Sequence, residues 1–282
     1  MGLSIDHIKK QSLAAFGQWR KDWIKNSKHN KQYITASMYG SLRGIGYGKK
    51  LLLAANGPSL GRDFKLIKKY RNLFHIAAVD KAFKPLMNKG IKPDYVVLCD
   101  ANIPFDKYCD GLDTEGIVLL SNVCAETNWV DYWKGPRFFF INKDAIQTEE
   151  FFMELTDYAE LIPAASNVSN ATIVLAHCVL GYDWNLMTGY DYSWKEGEYY
   201  SDCTTDKEYW MAAQLIPDEQ GNLVRTSTNL LFSAKWIADF FNSIKNGKFI
   251  NCTDQGFSIG PPTSTLDLAI KKLCKDDLPF HA

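Results

Sequence analysis

Three groups of polar residues lie where an α/β protein could use them for chemistry. The first is the turn Asn56-Gly57-Pro58-Ser59, which directly follows the apolar run 51–55. Gly57 lets the backbone approach a ligand closely, Pro58 stiffens the turn, and the N–H groups at the start of a following helix attract an anion. Asn56 and Ser59 add a side-chain amide and a hydroxyl. The turn therefore predicts an anion-binding loop, although an ordinary β–α turn capped by Ser59 has the same sequence.

The second group consists of aspartates at the ends of apolar runs. Asp80, Asp100 and Asp191 come after such runs, so a parallel sheet would bring all three to its carboxyl edge. Clustered carboxylates at that edge suit Mg²⁺ binding, contacts to ribose hydroxyls or general base catalysis. Each aspartate could instead cap a helix or a loop. Because there are three, we predict that they have a functional role and treat them as candidate catalytic residues.

The third group is the segment 166–170, Ser-Asn-Val-Ser-Asn, which opens a predicted helix. Small polar side chains and free N–H groups at a helix start form a second surface for an anion or a nucleotide base. Capping of the helix by Ser166 or Asn167 explains the same residues equally well. The segment therefore predicts either a ligand contact or a helix cap.

These groups depend on a repeated strand–helix pattern for their positions. The run 51–55 is continuously apolar, as is typical of a strand buried on both faces of a parallel sheet. The other strands are predicted at 75–79, 95–99, 116–120, 137–141, 185–188 and 248–252, and helices at 3–27, 61–72, 81–89, 168–180, 226–246 and 265–274. Repeated β–α–β units imply an α/β fold with a mostly parallel, right-handed, doubly wound sheet.

The same pattern divides the chain into three predicted parts. Residues 1–45 form a helical extension, residues 46–192 a nucleotide-binding core, and residues 193–282 an insertion or lid with helices that pack on the core. Residues 193–222 are polar, aromatic and irregular, which suggests a lid over the sheet edge.

Composition excludes several classes of protein. Of 282 residues, 46% are hydrophobic and 23% charged, which argues against a disordered or fibrous chain. The 32 basic residues balance the 32 acidic ones, so we expect no duplex nucleic acid partner, although a local basic patch is compatible with this balance. Seven cysteines without a CxxC pair signal neither a disulfide framework nor a zinc site. With no signal-peptide pattern and no apolar run near the ~20 residues that span a bilayer, we expect a cytoplasmic protein.

Four ordered motifs resemble the motility accessory factor (Maf) family. That family shares a domain with archaeal-type 6-hydroxymethylpterin diphosphokinases and is more distantly similar to bacterial sialyltransferases that use CMP-sialic acid. The motifs cover roughly residues 50–270 and are 51–60, 78–100 with its Gly-Ile-Lys-Pro-Asp run, 167–191, and 224–256 with its Asn-Cys-Thr-Asp-Gln-Gly run. The resemblance implies a Rossmann-like fold and a nucleotide or nucleotide-sugar ligand.

Similarity to the sialyltransferases implies a role for each motif residue. Asn56 and Ser59 would hold the cytidine phosphate, with Asn167 and Ser169 binding from the facing helix, and Asp191 would hold the base or the ribose. No cofactor is required for this transfer. The substrate contacts implied in this way are Asn56, Gly57, Pro58, Ser59, Asn167, Val168, Ser169 and Tyr192.

These sialyltransferases place a catalytic histidine after the segment that corresponds to Asp191. This chain has no histidine between His177 and His281. One of the side chains that follow Asp191 would have to substitute as the base, or the acceptor differs. The candidates are Tyr192, Tyr199, Tyr200 and Asp202.

Similarity to the diphosphokinases implies a different chemistry. Asp80, Asp94 and Asp100 would gather Mg²⁺ and the triphosphate of ATP. The pattern also resembles thiamine diphosphokinases, which carry a further acid just after the last aspartate, where this chain has Ala101 and Asn102. We therefore predict a nucleotide-dependent transferase. A glycosyltransferase that uses a CMP-type sugar is the preferred function, and a diphosphokinase is the alternative.

A third reading is a nucleotide-binding or assembly protein that kept the fold and lost catalysis. The polar aromatic stretch 194–210 would then be a partner surface. The acceptor and the oligomeric state are left open by the sequence.

Overall fold

A large parallel sheet organises the computed structural model, which describes residues 5–143, 159–163, 167–194, 199–201, 213–218, 221–244, 248–253 and 256–276. Its strands are β1 (Lys50–Ala54), β2 (His75–Val79), β3 (Tyr95–Leu98), β4 (Val118–Asn122), β5 (Arg137–Lys143), β6 (Glu160–Pro163), β7 (Trp184–Thr188) and β10 (Phe249–Asn251). Their spatial order is β10-β7-β1-β2-β3-β4-β5-β6. A separate antiparallel hairpin joins β8 (Gln214–Pro217) and β9 (Leu223–Thr226). The predicted Rossmann-like α/β fold is thus confirmed.

Nine helices in the described ranges accompany the sheet. They are α1 (Ile5–Asn30), α2 (Met38–Leu42), α3 (Pro58–Lys69), α4 (Asp80–Asn88), α5 (Phe105–Tyr108), α6 (Thr127–Tyr132), α7 (Val168–Leu175), α8 (Thr228–Ser243) and α9 (Leu266–Asp276). Six correspond to predicted helices, whereas α2, α5 and α6 were not predicted. A π turn, Ala176–Leu180, continues α7 and ends at Gly181 in the left-handed conformation. None of the helices in the described ranges has the length and apolar character needed to cross a membrane.

The chain divides into two compact units, each assembled from separate segments. Unit 1 comprises residues 1–45 and 94–181, and unit 2 comprises residues 46–93 and 182–282. Strands β3 to β6 belong to unit 1, whereas β1, β2, β7, β10 and the hairpin belong to unit 2. The functional boundaries expected at residues 45/46 and 192/193 remain predictions.

Strand β1 forms the centre of unit 2. It pairs in parallel with β2 on one side and with β7 on the other. Residues 51–54 are fully buried because both faces of the strand are covered. Since the three strands are parallel, the residues that follow them meet at one edge of unit 2, which we call its carboxyl edge. Asn56, Asp80 and Asp191 all lie there.

Two asparagines anchor α1 within unit 1. The Nδ2 of Asn26 donates to the carbonyls of Ala101 (3.0 Å) and Cys124 (3.2 Å). One helical turn later, the Nδ2 of Asn30 donates to the carbonyls of Val123 (3.1 Å) and Ala125 (2.9 Å). Both asparagines are buried, so they satisfy loop carbonyls that water cannot reach. The end of α1 is therefore an integral part of unit 1.

Replacement of Asn30 by alanine is expected to destabilise unit 1 by about 2 kcal/mol, because two buried carbonyls lose their donor. Asn30→Asp is expected to be worse, since it places a carboxylate against the same carbonyls. The exposed neighbour Lys28 supplies the control Lys28→Ala. Urea unfolding of the three variants measures the effect. If Asn30→Ala matched Lys28→Ala in its midpoint, the anchoring role would be wrong.

Candidate functional site

The predicted turn lies against the loop that follows β7. The N–H of Ala55 donates to the carbonyl of Thr188 (2.9 Å), and the N–H of Gly57 donates to the carbonyl of Gly189 (3.0 Å). Gly189 has a φ of 78°, and a Cβ there would lie 2.0 Å from the carbonyl oxygen of Ala55. Glycine is thus required at position 189 both by conformation and by space. The turn and the β7 loop form one hydrogen-bonded structure at the carboxyl edge of unit 2.

Asp191 provides an internal anion at the start of α3. Its Oδ2 accepts from the N–H of Ser59 (3.2 Å) and from the Ser59 hydroxyl (2.8 Å), and its side chain is fully buried. The Ser59 oxygen in turn accepts from the N–H of Gly189 (2.7 Å). The guanidinium of Arg62 lies 4.0 Å from the other carboxylate oxygen. The carboxylate of Asp191 therefore accepts from the N–H group at the start of α3, where the sequence predicts that an anionic ligand binds.

Asn56 is the residue of the turn whose side chain keeps donors for a ligand. Its Oδ1 accepts from the hydroxyl of Ser201 (2.5 Å), and its carbonyl accepts from the N–H of Ser201 (3.1 Å). No group in the described ranges accepts from its Nδ2, which carries two N–H donors. The segment 199–201 sits close because position 61 is glycine, where a Cβ would lie 2.3 Å from the Ser201 carbonyl oxygen. Ser201 thus fixes the orientation of a mostly buried amide.

Asp80 and Lys81 begin α4 at the end of β2. The carboxylate of Asp80 is buried and accepts from the N–H of Lys81 (2.6 Å), as expected for an acidic residue in a first helical turn. The ammonium of Lys81 lies 3.4 Å from the hydroxyl of Tyr200. Sequence reasoning missed Lys81 as a site residue, although its place directly after Asp80 could have indicated it. A cation at the carboxyl edge suits a phosphate.

Tyr192 follows Asp191 in a rarely populated backbone conformation. Its φ is 51°, and its carbonyl accepts from the hydroxyl of Thr226 (2.8 Å). Burial raises the pKa of the Tyr192 phenol far above its usual value. The phenol therefore stays protonated at neutral pH and can donate a hydrogen bond, but it is poorly suited to act as a general base. This argues against Tyr192 as a substitute for the absent histidine.

The proposed magnesium ligands in unit 1 are not brought together. Asp94 precedes β3 and Asp100 follows it, so their Cα atoms are roughly 20 Å apart along an extended strand. Asp100 is exposed, whereas Asp94 is half-buried. In the part of the chain that the structure describes, no group of three or more His, Cys, Asp or Glu side chains is placed to hold a metal ion. Asp94 and Asp100 therefore lie far apart within unit 1, and Mg²⁺ binding by the set of Asp80, Asp94 and Asp100 remains a prediction.

Asn167 caps α7 in unit 1. Its Oδ1 accepts from the N–H of Asn170 (2.8 Å), which satisfies a donor at the helix start. Val168 and Ser169 form the first turn of α7 and are partly exposed. Ser166 lies outside the described residues. Capping is therefore one role of Asn167, while ligand contacts of Asn167, Val168 and Ser169 remain predictions.

The protein is a Rossmann-like α/β protein. A glycine-containing turn, residues 56–59, follows β1, the central strand of unit 2. A family model described as 6-hydroxymethylpterin diphosphokinase MptE-like matches residues 21–197, which is more than half of the chain. The chain belongs to the MptE-like family. The family resemblance that the motifs predict is thereby confirmed.

Among solved structures, a glycosyltransferase is similar over most of the chain. It is the Maf glycosyltransferase from Magnetospirillum magneticum AMB-1, which matches with a TM-score of 0.62 and 16% sequence identity. The match covers 90% of this chain and 41% of that one, so this chain spans about two fifths of the neighbour's length. At this identity the likeness shows the fold alone. No curated protein matches the sequence.

Proposed function

We propose that this chain is a transferase that binds a CMP-type nucleotide sugar at the turn 56–59 and transfers the sugar to an acceptor. Membership of the MptE-like family supports a transferase-type function. The similarity of fold to a Maf glycosyltransferase favours glycosyl transfer among transferases. The observation that carries the proposal is the buried amide of Asn56, which Ser201 orients and which keeps two donors for a ligand.

The proposed chemistry requires stabilisation of a phosphate. As the bond between sugar and nucleotide breaks, positive charge develops on the sugar and negative charge on the phosphate that leaves. Fixed donors aimed at that phosphate lower the barrier most effectively. In unit 2, the Nδ2 of Asn56 and the ammonium of Lys81 are groups of this kind at the carboxyl edge. We therefore assign both to the phosphate, and Asp191 to the support of the turn.

A Mg-ATP diphosphotransferase is the second candidate, and the family model favours it. In that function several carboxylates would share a metal ion with the triphosphate. The placement of Asp94 and Asp100 at opposite ends of β3 weighs against the ligand set derived from the sequence. Glycosyl transfer does not depend on that set, and we prefer it for this reason.

Calorimetric titration with CMP, UDP, GDP and ATP, each with and without Mg²⁺, separates the two functions. We expect CMP to bind without metal, because the proposed donors come from the protein. Binding of ATP alone, and only with Mg²⁺, would favour the diphosphokinase instead. If none of these nucleotides bound, the proposed function would be wrong.

Replacement of Asn56 by alanine is expected to weaken CMP binding at least about tenfold, because a hydrogen bond to a charged phosphate is lost. Asn56→Asp keeps the acceptor for Ser201 but turns a carboxylate toward the phosphate, so we expect it to bind more weakly still. The exposed Asn72, also in unit 2, supplies the matched control Asn72→Ala. Equal affinity of Asn56→Asp and the wild type would contradict the assignment.

A further inference from the structure

One tyrosine of unit 2 has a backbone conformation that tyrosine rarely adopts. Among the described residues, no non-glycine residue other than Tyr192 has a positive φ, and its value is 51°. This conformation costs free energy for any residue with a Cβ, and it persists only where the surrounding structure enforces it. Tyr192 directly follows Asp191, the carboxylate that binds the start of α3. The contacts that enforce the conformation of Tyr192 therefore also affect the candidate site.

The hydroxyl of Thr226 binds the carbonyl of this tyrosine. Thr226 is the last residue of β9 and is fully buried, and its Oγ1 donates to the carbonyl of Tyr192 (2.8 Å). The same Oγ1 lies 3.5 Å from the carbonyl of Ser227, so its single proton is directed mainly toward Tyr192. Because Thr226 and Tyr192 are both buried, water cannot readily replace this donor when it is removed.

The chain that follows Tyr192 is fixed to the same strand. The N–H of Trp194 donates to the carbonyl of Arg225, and the N–H of Arg225 donates to the carbonyl of Trp194, each at 2.8 Å. Trp194 thus pairs with β9 as the residue of an antiparallel third strand would. Since Arg225 and Thr226 are adjacent, the end of β9 holds both the left-handed residue and the chain two residues after it.

The chain that precedes Tyr192 is fixed by the candidate site and by the loop after β10. The Oδ2 of Asp191 accepts from the N–H and the hydroxyl of Ser59, and its carbonyl accepts from the hydroxyl of Ser193 (3.1 Å). A Cβ at Gly256 would lie 2.1 Å from that carbonyl oxygen, so the loop after β10 packs tightly against it. A rotation of the Tyr192 backbone would move Asp191 relative to β9 and pull its carboxylate from Ser59.

Stabilisation of the hairpin does not account for the hydroxyl of Thr226. Its hydrogen bond reaches a residue 34 positions earlier in the chain, outside both strands of the hairpin. Valine has almost the same shape and is equally favoured in a strand, so the hairpin alone does not require a hydroxyl at this position. The group that depends on this hydroxyl is the carbonyl of Tyr192.

We propose that Thr226 is a positioning residue for the nucleotide site. Its hydroxyl keeps Tyr192 in the left-handed conformation, which holds Asp191 on Ser59 and keeps the turn 56–59 closed on the β7 loop. Thr226 acts through Asp191 rather than by contact with the nucleotide. The expected effect on nucleotide binding rests on the proposed function, whereas the expected effect on the turn does not.

Amide hydrogen exchange of the nucleotide-free chain tests the positioning of the turn. The N–H groups of Gly57 and Ser59 donate to the loop after β7, so their slow exchange reports a closed turn. In Thr226→Val, which keeps the shape of the side chain, we expect both to exchange at least about fivefold faster relative to the N–H of Leu53 in β1. Thr226→Ser, which keeps the hydroxyl, should retain slow exchange.

Thr114→Val is the matched control for this comparison. Thr114 is also fully buried, and its Oγ1 accepts from the N–H of Lys134 (2.9 Å) in unit 1. The control should leave the exchange ratio of the turn unchanged. The proposal is overturned if Thr226→Val accelerates exchange at Gly57 and Ser59 no more than Thr114→Val does. It is also overturned if Thr226→Ser behaves like Thr226→Val, because the hydroxyl would then not be the group that holds Tyr192.

Calorimetric titration of the same variants with CMP extends the test to binding. We expect Thr226→Val to bind at least about fivefold more weakly than the wild type, because a smaller fraction of the chain has a closed turn. Thr226→Ser and Thr114→Val should bind like the wild type. A wild type that bound no CMP would contradict the proposed function, and the exchange rates would still decide whether Thr226 positions the turn. Equal affinity of Thr226→Val and a wild type that binds CMP would overturn the role of Thr226 in the nucleotide site.

Discussion

Asp191→Ala is expected to lower the free energy of unfolding by about 3 kcal/mol, because two buried donors of Ser59 lose their acceptor. The N–H and the hydroxyl of Ser59 both donate to Asp191, whose side chain is fully buried. Water cannot replace the carboxylate without opening the turn. Since this turn holds Asn56, we expect CMP binding to be lost as well. Urea unfolding measures the first effect and calorimetry the second.

A double-mutant cycle shows whether Asp191 acts through Ser59. Ser59→Ala removes one donor and also the acceptor for the N–H of Gly189, so it is expected to destabilise by about 1–2 kcal/mol. If the two residues act as one unit, the double variant will be more stable than the sum of the single effects predicts. Additive effects would contradict this coupling. Asp183→Ala, which removes an exposed aspartate of unit 2, is the control and should leave the urea midpoint nearly unchanged.

The central strands were predictable because burial on both faces leaves a continuous apolar run. The runs 51–55 and 75–79 agree with β1 and β2 to within one residue. Helix α3 starts at Pro58, earlier than the predicted Gly61, since proline is well suited to the first helical position. The preference of proline for the first helical position thus explains the earlier start of α3. The alternation of predicted strands and helices was sufficient to predict a mostly parallel sheet.

The elements that were missed are short or carry little apolar signal, and they include the helices α2, α5 and α6 of four to six residues. Strand β6 has only four residues, and the run before Asn167 was not assigned to any strand. The hairpin β8–β9 lies partly within a stretch predicted to be irregular, and its first strand is largely exposed. Short, exposed strands obtain their stability from their neighbours rather than from periodicity, so a sequence pattern cannot identify them.

Parallel strands made part of the candidate site predictable. Residues that follow neighbouring parallel strands must share an edge, and the structure places Asn56, Asp80 and Asp191 together in this way. The bond between Ser59 and Asp191 was not predictable, because it joins residues 132 positions apart whose proximity depends on β1 pairing with β7. The orientation of Asn56 by Ser201 has the same cause. The sequence was sufficient to predict that these residues lie at the carboxyl edge. Which of their polar groups remain available to a ligand depends on contacts between segments far apart in the chain.

Gly57→Ala is expected to have the other large effect on the site, a loss of about 3 kcal/mol or more of stability, because no space exists for a methyl group. A Cβ at position 57 would lie 2.2 Å from the Oδ2 of Asp191 and 2.5 Å from the carbonyl oxygen of Gly189. The backbone of Gly57 has a φ of −74° and a ψ of 170°, which any residue adopts. The expected loss therefore comes from contact rather than from strain. The methyl group would separate the turn from the β7 loop and release the carboxylate from Ser59.

A glycine in open space provides the matched control for this prediction. Gly17 lies inside α1, and a Cβ there would meet no heavy atom within 4 Å. Gly17→Ala should stabilise the helix by about 0.5–1 kcal/mol. The same substitution, glycine to alanine, therefore changes the free energy of unfolding in opposite directions at the two positions. Urea unfolding compares the two variants, and calorimetry with CMP shows whether the turn still binds. If Gly57→Ala were as stable as the wild type and bound CMP normally, the close contact between the turn and Asp191 would be wrong, and with it the assigned site.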